Sequence, residues 1–171
     1  GTPFCGWQRQ EHARSIQAEV EAALSRVADA PVVVAAAGRT DAGVHALGQV
    51  AHFDTTAVRA DHAWLFGANS LLPPEIAISW VRPVAASFDA RYSALARTYH
   101  YLILNRPARP ALRHNRVLWV RGALDAGAMQ AATPALLGEH DFSAFRAAGC
   151  QARSPMRELH RLEVTRSGPW I

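Results

Sequence analysis

The sequence predicts an α+β fold, with mixed, largely antiparallel sheets flanked by helices. Two observations carry that expectation. Stretches of helical and of strand periodicity alternate along the 171 residues, yet several strand pairs are joined by connections too short for a crossover helix. The composition, 50% hydrophobic and 19% charged, suffices for a core at this length and is unlike a disordered tail, a coiled coil or a collagen-like fibre.

Taken in order, Ser15 is placed to cap a helix over 15–29, where Ile16, Val20, Leu24 and Val27 recur at helical spacing until Pro31 stops it. Residues 31–37 read as a buried strand. They contain the longest apolar run, Val32 to Ala37, far short of the roughly 18 residues a membrane helix needs. Three glycines in residues 38–48 mark a loop, residues 49–54 resume as a strand, and a second helix over 60–70 is closed by Pro73-Pro74. Residues 76–84 read as an alternating strand, and 97–104 as another, rich in aromatic and β-branched side chains. A short strand over 117–120, a helix over 125–137 despite Pro134, and a strand over 158–166 complete the series. The chain opens in a turn-like Gly1-Thr2-Pro3-Phe4 and closes on Ser167-Gly168-Pro169-Trp170-Ile171, a turn running into the first residues of another strand. Such ends predict a piece of a longer protein. No basic, apolar and small-residue leader opens the chain, and the two cysteines, Cys5 and Cys150, lie nearly at opposite ends without CxxC spacing. These features predict free thiols in a reducing cytoplasm.

Charge divides the chain. All eighteen basic residues are Arg, and the net charge is +4. Residues 1–85 hold six Arg against eight acids, whereas 86–171 hold twelve against six, so the sign changes near Pro83 to Ser87. Two domains are expected there, 1–86 and an Arg-rich 87–171. Arg91 to Arg121 contains seven Arg and no Asp or Glu, with Tyr92, Tyr99, Tyr101 and Trp119 interleaved. Planar guanidinium groups among aromatic rings suit phosphate contact and base stacking, the alternative being a solvated face in an Arg-biased sequence. Arg106, Arg109 and Arg113 are the candidate nucleic-acid contacts.

The loop Gly38-Arg39-Thr40-Asp41-Ala42-Gly43-Val44-His45-Ala46 packs a cation, a carboxylate and two glycines directly after a buried strand. Loops at strand ends are where a rigid scaffold displays reactive groups. Arg39, two residues before Asp41, can hold that carboxylate ionised through an ion pair, and an ionised carboxylate serves as nucleophile or general base. The local alternative is a tight turn in which Asp41 satisfies backbone amides and the glycines supply positive φ. The GK[ST] ending of a P-loop is missing, so a nucleotide phosphate cradle is not indicated.

This loop resembles the catalytic signature of the tRNA pseudouridine synthase A family. Similar segments run through the whole chain in the family's order: Gly6-Trp7-Gln8-Arg9-Gln10, Gly48-Gln49-Val50-Ala51-His52-Phe53, Asn69-Ser70-Leu71-Leu72-Pro73, Phe88-Asp89-Ala90-Arg91-Tyr92-Ser93-Ala94, Arg97-Thr98-Tyr99-His100-Tyr101, and Gly138-Glu139-His140-Asp141-Phe142-Ser143-Ala144-Phe145. The resemblance implies a pseudouridine synthase fold with its catalytic cleft between two similar subdomains. It places Asp41 on the family's catalytic Asp, Arg39 on its Arg two places earlier, and Tyr99 on its active-site Tyr, leaving Tyr101 as packing. It further implies isomerisation of uridine to pseudouridine at positions 38, 39 and 40 of the tRNA anticodon stem-loop, with base flipping, no cofactor, no metal, and a homodimer that places one tRNA across both subunits. The family continues with a helix carrying a Met-Val-Arg segment, which this sequence does not contain.

Two other readings stand beside it. One is a non-catalytic RNA-binding module of the same fold. The other is an Asp-dependent hydrolase, since His45 lies four residues from Asp41; without a Gly-x-Ser-x-Gly elbow, His45 is expected to form a structural hydrogen bond. His140 and His160 lack metal-ligand spacing and read as surface or loop residues. The five tryptophans are too dispersed for a stacking platform and read as core.

Overall fold

Helix α1 (Ile16–Ala28) begins where Ser15 turns its hydroxyl onto the Ala18 amide, 3.4 Å away. Glu19 in its first turn and Arg26 in its last complement the helix dipole. It ends on Asp29 in the left-handed region (φ 56°), a position that Asp, with Asn, tolerates better than most side chains. The protein is described by a computed structural model covering residues 1–146 and 154–171, so Cys150 lies outside the described residues. Cys5 is a free, exposed thiol.

The chain resolves into two compact units, Gly1–Tyr99 and His100–Ile171, whereas the charge balance turns near residue 86. In the first, Val20, Ala23, Leu24 and Ala28 of α1 form one apolar face. That face packs with Trp7, Val32, Val34, and Trp64 and Ala68 of α2 (Asp61–Leu71). Gly67 lets the helices approach closely, since a Cβ there would lie 3.1 Å from Val27. Glu21 is buried on α1 and saturated: it accepts from Arg9 Nη1 (2.9 Å), Gln17 Nε2 (2.9 Å) and the Val34 amide (3.0 Å). A carboxylate withdrawn from water needs such partners, and here they tie α1 to the segment entering the sheet.

Strand β1 (Ala35–Ala36) pairs antiparallel with β2 (Ala51–His52). The expected strand over 31–37 is thus shorter, and it is not buried on both faces. Val32 and Val34 point inward while Val33 is 68% exposed, the alternation of a one-sided sheet. Similarly, 49–54 contracts to β2. No strand is assigned over 76–84 among the described residues, because Ile78 is gripped by a side chain instead: Asn69 donates to its carbonyl and accepts from its amide, both at 2.8 Å.

In the second unit β3 (Ile103–Asn105) runs parallel to β4 (Leu118–Val120), joined by residues 106–117, a length that suits a parallel connection. Its other edge carries the chain's last residues: Ile103 and Ile171 exchange both backbone bonds (2.8 and 3.0 Å), and the Asn105 amide donates to Pro169 (2.7 Å). The strand start expected within the closing residues 167–171 therefore finds a partner in β3. Helix α3 (Ala126–Ala132), capped by Asp125, stops short of the expected 125–137. Pro134 lacks the amide an α-helix requires, and Thr133–Leu136 tightens into a 3₁₀ turn. Strand β5 (Gly138–Asp141) pairs antiparallel with β6 (Met156–Leu159). The expected strand over 158–166 is thus displaced toward the N-terminus, its register set by β5. Among the described residues two small sheets are antiparallel and one parallel, a mixture of helices and small sheets compatible with the α+β class.

Of the tryptophans, Trp7 and Trp64 are core as expected, but Trp80 is 55% exposed beneath the Arg82 guanidinium. No helix among the described residues is long and apolar enough to cross a membrane.

Candidate active site

Asp41 leads a turn, Asp41-Ala42-Gly43-Val44, closed by the Val44 amide donating to its carbonyl at 3.2 Å. Gly43 at φ +79° meets the requirement of the third residue of a type II turn. The tight-turn geometry and a displayed carboxylate thus coexist, for Asp41 is exposed at the head of the turn.

The backbone entering the turn is tied down at several points. The Ala37 amide donates to Val50 (2.8 Å), extending the β1–β2 ladder, while its carbonyl accepts from Arg97 through Nε (3.0 Å) and Nη2. The Gly38 carbonyl accepts from Gln49 Nε2 at 2.6 Å, and the Thr40 carbonyl from the Trp7 amide at 2.9 Å.

From the other side residues 1–7 lie along the turn. The Phe4 carbonyl accepts from the Gly43 amide (3.3 Å), and Thr2 Oγ1 meets His45 Nε2 at 3.2 Å, the structural role expected of His45. Gly6 (φ +90°) approaches so closely that a Cβ would stand 2.6 Å from the Thr40 oxygen. This segment is itself fixed to α1: Cys5 donates to Arg14 (2.9 Å), while Gly6 and Trp7 accept from Ile16 (3.2 Å) and Gln17 (2.9 Å). Phe4 is buried beneath the Arg14 guanidinium, 4.8 Å from its ring centroid.

Arg39 stands on the same loop, two residues before Asp41. Both residues are exposed, and an exposed pair gains at most about 1 kcal/mol against the entropy of holding two side chains together. Tyr99 is 80% exposed, at the end of the first unit. The expected strand over 97–104 shrinks to β3, and Tyr101, expected to pack, is 74% exposed because it precedes the paired residues.

Arg106, Arg109 and Arg113 share the β3–β4 connection. Arg106 folds onto its own loop, Nε donating to Ala108 (2.9 Å), and Arg113 lies over the Trp170 ring (5.1 Å). His140 and His160 are exposed, with His140 Nε2 at 2.8 Å from the Leu137 carbonyl and His160 at 3.7 Å from Glu158.

No role at the site is legible in the sequence for Gly6, Gln49 or Arg97, although all three lie in segments resembling the family. A glycine just ahead of a buried Trp was the available signal for Gly6; nothing local marks Arg97, whose partner is 60 residues away.

A family model described as tRNA pseudouridine synthase matches residues 1–93 and 132–171. The chain is 56% identical over 171 residues to the tRNA pseudouridine synthase A of Nitrosococcus oceani, covering all of the chain and 66% of the relative. Against that of Methylococcus capsulatus it is 57% identical over 168 residues, 98% of the chain and 62% of the relative. For Hydrogenovibrio crunogenus the identity is 52% over 171 residues, 100% and 65%. The chain thus spans 62–66% of these relatives' length. Matches of this extent, over the loop and the segments that hold it, establish that the chain belongs to the tRNA pseudouridine synthase family.

Proposed function

We propose that the protein isomerises uridine to pseudouridine in the tRNA anticodon stem-loop, at positions 38, 39 and 40, with Asp41 as its nucleophile. The observation carrying this reading is an exposed carboxylate on a turn whose flanking backbone is fixed, in a chain of this family. The reaction breaks the N1–C1′ bond, turns the uracil and joins C5 to C1′; the proton lost from C5 is balanced by one gained at N1, and nothing is oxidised. Asp41 adds covalently to base or sugar, or removes a sugar proton. A base in a stem must first leave the stack, at a cost of a few kcal/mol. Arg39 fills the vacated space or supports Asp41. Tyr99 stacks on the extruded uracil, with its hydroxyl available for proton removal at C5. Arg106, Arg109 and Arg113 contact the tRNA backbone, with 1–86 as the domain that carries Asp41 and 87–171 as the Arg-rich one. A homodimer working in the cytoplasm without a cofactor completes the reading.

Tritium release from C5-labelled uridine in tRNA tests it, with the protein at its native length. Asp41→Asn and Asp41→Ala should abolish release while tRNA binding stays nearly intact. Residual turnover within tenfold of wild type would overturn the assignment, and binding without any release by the wild-type protein would leave an RNA-binding module.

A further inference from the structure

We infer that Arg97 is a positioning residue for the Asp41 loop, not one of the tRNA-contacting arginines among which its sequence neighbourhood places it. The inference rests on the reading of Asp41 as the catalytic group. Its guanidinium is turned onto the protein: Nε and Nη2 both donate to the Ala37 carbonyl, and Nη2 reaches the Arg91 carbonyl at 3.4 Å. Ala37 is where the β1–β2 ladder ends. Its amide is the last to be paired, with Val50, and its carbonyl is the point from which the chain departs toward Asp41, four residues on. A charged donor at this carbonyl makes stronger hydrogen bonds than a neutral one, and a planar fork can engage it with two N–H groups while a third reaches elsewhere.

Gly38 independently fits this role. A Cβ there would lie 3.3 Å from Arg97 Nε, so the position next to the anchored carbonyl leaves room for the guanidinium. With Gln49 on Gly38 and Trp7 on Thr40, Arg97 fixes one of three carbonyls in the four residues before Asp41. Arg97 is exposed and belongs to no core cluster, so removing it should disturb the loop more than the fold.

Arg97→Met keeps the stem and removes the donors; Arg97→Lys restores a single cationic donor. With a tRNA transcript carrying uridine at positions 38 to 40, Arg97→Met should lower kcat by about 10- to 100-fold, the scale of a small misplacement at a reacting group. KM, tRNA Kd, the slope of log Kd against log salt and the melting temperature should stay unchanged, and Arg97→Lys should fall between Met and wild type. A kcat within twofold of wild type overturns the inference. So does a loss confined to Kd with the salt slope reduced by about one, the mark of a phosphate contact. If Arg97→Met melts well below wild type, Arg97→Lys decides alone. A several-fold lower kcat at unaltered Kd supports the inference, and wild-type kcat or weakened, less salt-dependent binding overturns it. Asp41→Asn separates the two levels. If it turns over, the reading of Asp41 fails; if it is inert while Arg97→Met is unimpaired, only the role of Arg97 fails.

Discussion

Gly6→Ala perturbs the Asp41 loop from the opposite side, by adding one methyl group. Gly6 sits at φ +90°, where L side chains are strained, and the new Cβ would stand 2.6 Å from the Thr40 oxygen, 3.1 Å from the Asp41 carbonyl carbon and 3.3 Å from the Ala42 nitrogen. All three are backbone atoms and cannot swing aside as the tip of a long side chain would. Holding a non-glycine residue in such a conformation costs about 1–3 kcal/mol. Relieving the contact separates residues 1–7 from the turn and forfeits the Trp7–Thr40 and Gly43–Phe4 bonds, about 1 kcal/mol each. The sum, roughly 3–5 kcal/mol, corresponds to roughly 6–20 °C in melting temperature for a chain of this size.

Melting followed by circular dichroism, with urea titration, measures the stability. Tritium release measured well below the lowered midpoint isolates the effect on Asp41, where a displaced turn should reduce turnover by up to about 100-fold. Gly48→Ala is the comparison, since nothing lies within 4 Å of a Cβ there; it should stay within about 0.5 kcal/mol of wild type. A Gly6→Ala protein that melts within a degree of wild type and turns over normally would refute the reasoning.

Other expectations follow from the same geometry. Replacing Arg106, Arg109 and Arg113 by Gln should flatten the slope of log tRNA affinity against log salt by roughly one unit per lost phosphate contact; an unchanged slope would make the run a solvated face. Tyr99→Leu should damage turnover with little change in melting temperature, because the ring is 80% exposed. A variant that loses several degrees but keeps its turnover would make Tyr99 a core residue. Tyr99→Phe should keep most binding if stacking dominates, and a large rate loss would assign the hydroxyl to proton transfer. The Asp89 carboxyl is held below the usual carboxylate range, chiefly by the Tyr92 amide and then by the Arg91 amide, His52 and Arg91. A depressed folded pKa gives stability that is full above the unfolded value, about 4, and is lost as pH falls through the lower folded one. Asp89→Asn should therefore narrow its stability deficit against wild type below about pH 4, and a deficit constant across that range would contradict the assignment.

Elements with local punctuation were legible in the sequence. Ser15 and Pro31 bracket α1, Pro73 follows α2, and the Asp41 turn declares itself through Gly43. What escaped depends on partners distant along the chain. Strand β5 is polar and exposed throughout, so no apolar alternation marks it, and its pairing with β6 joins Gly138 to Leu159. Glu21 interrupts the apolar face of α1, yet the Arg9, Gln17 and Val34 donors that make its burial tolerable become visible only once the chain is folded. Asn69 likewise takes the place of a strand neighbour for Ile78, a substitution that periodicity cannot register. Charge counting treats every Arg alike. It therefore groups Arg97, whose guanidinium is turned onto the Ala37 carbonyl, with Arg109 on an exposed loop.

The pattern around Asp41 has a physical reason. On the proposed reading of Asp41, a carboxylate that meets a base extruded from RNA has to stand in solvent, so its side chain is not held by burial or close packing. Its position must then be set through the main chain, and the main chain of a loop offers only amides and carbonyls as handles. Those handles are taken here by groups from separate parts of the first unit: Trp7 and Phe4 before α1, Val50 and Gln49 beside the ladder, and Arg97 near the unit's end. Each bond alone contributes about 1 kcal/mol or less to stability, but jointly they restrict where the turn can move. Loosening one anchor should therefore affect turnover far more than folding where the anchor is an exposed side chain, as at Arg97. Where the anchor is buried backbone contact, as at Gly6, both should suffer together. That contrast between the two sites distinguishes a held loop from one that merely happens to be tightly packed.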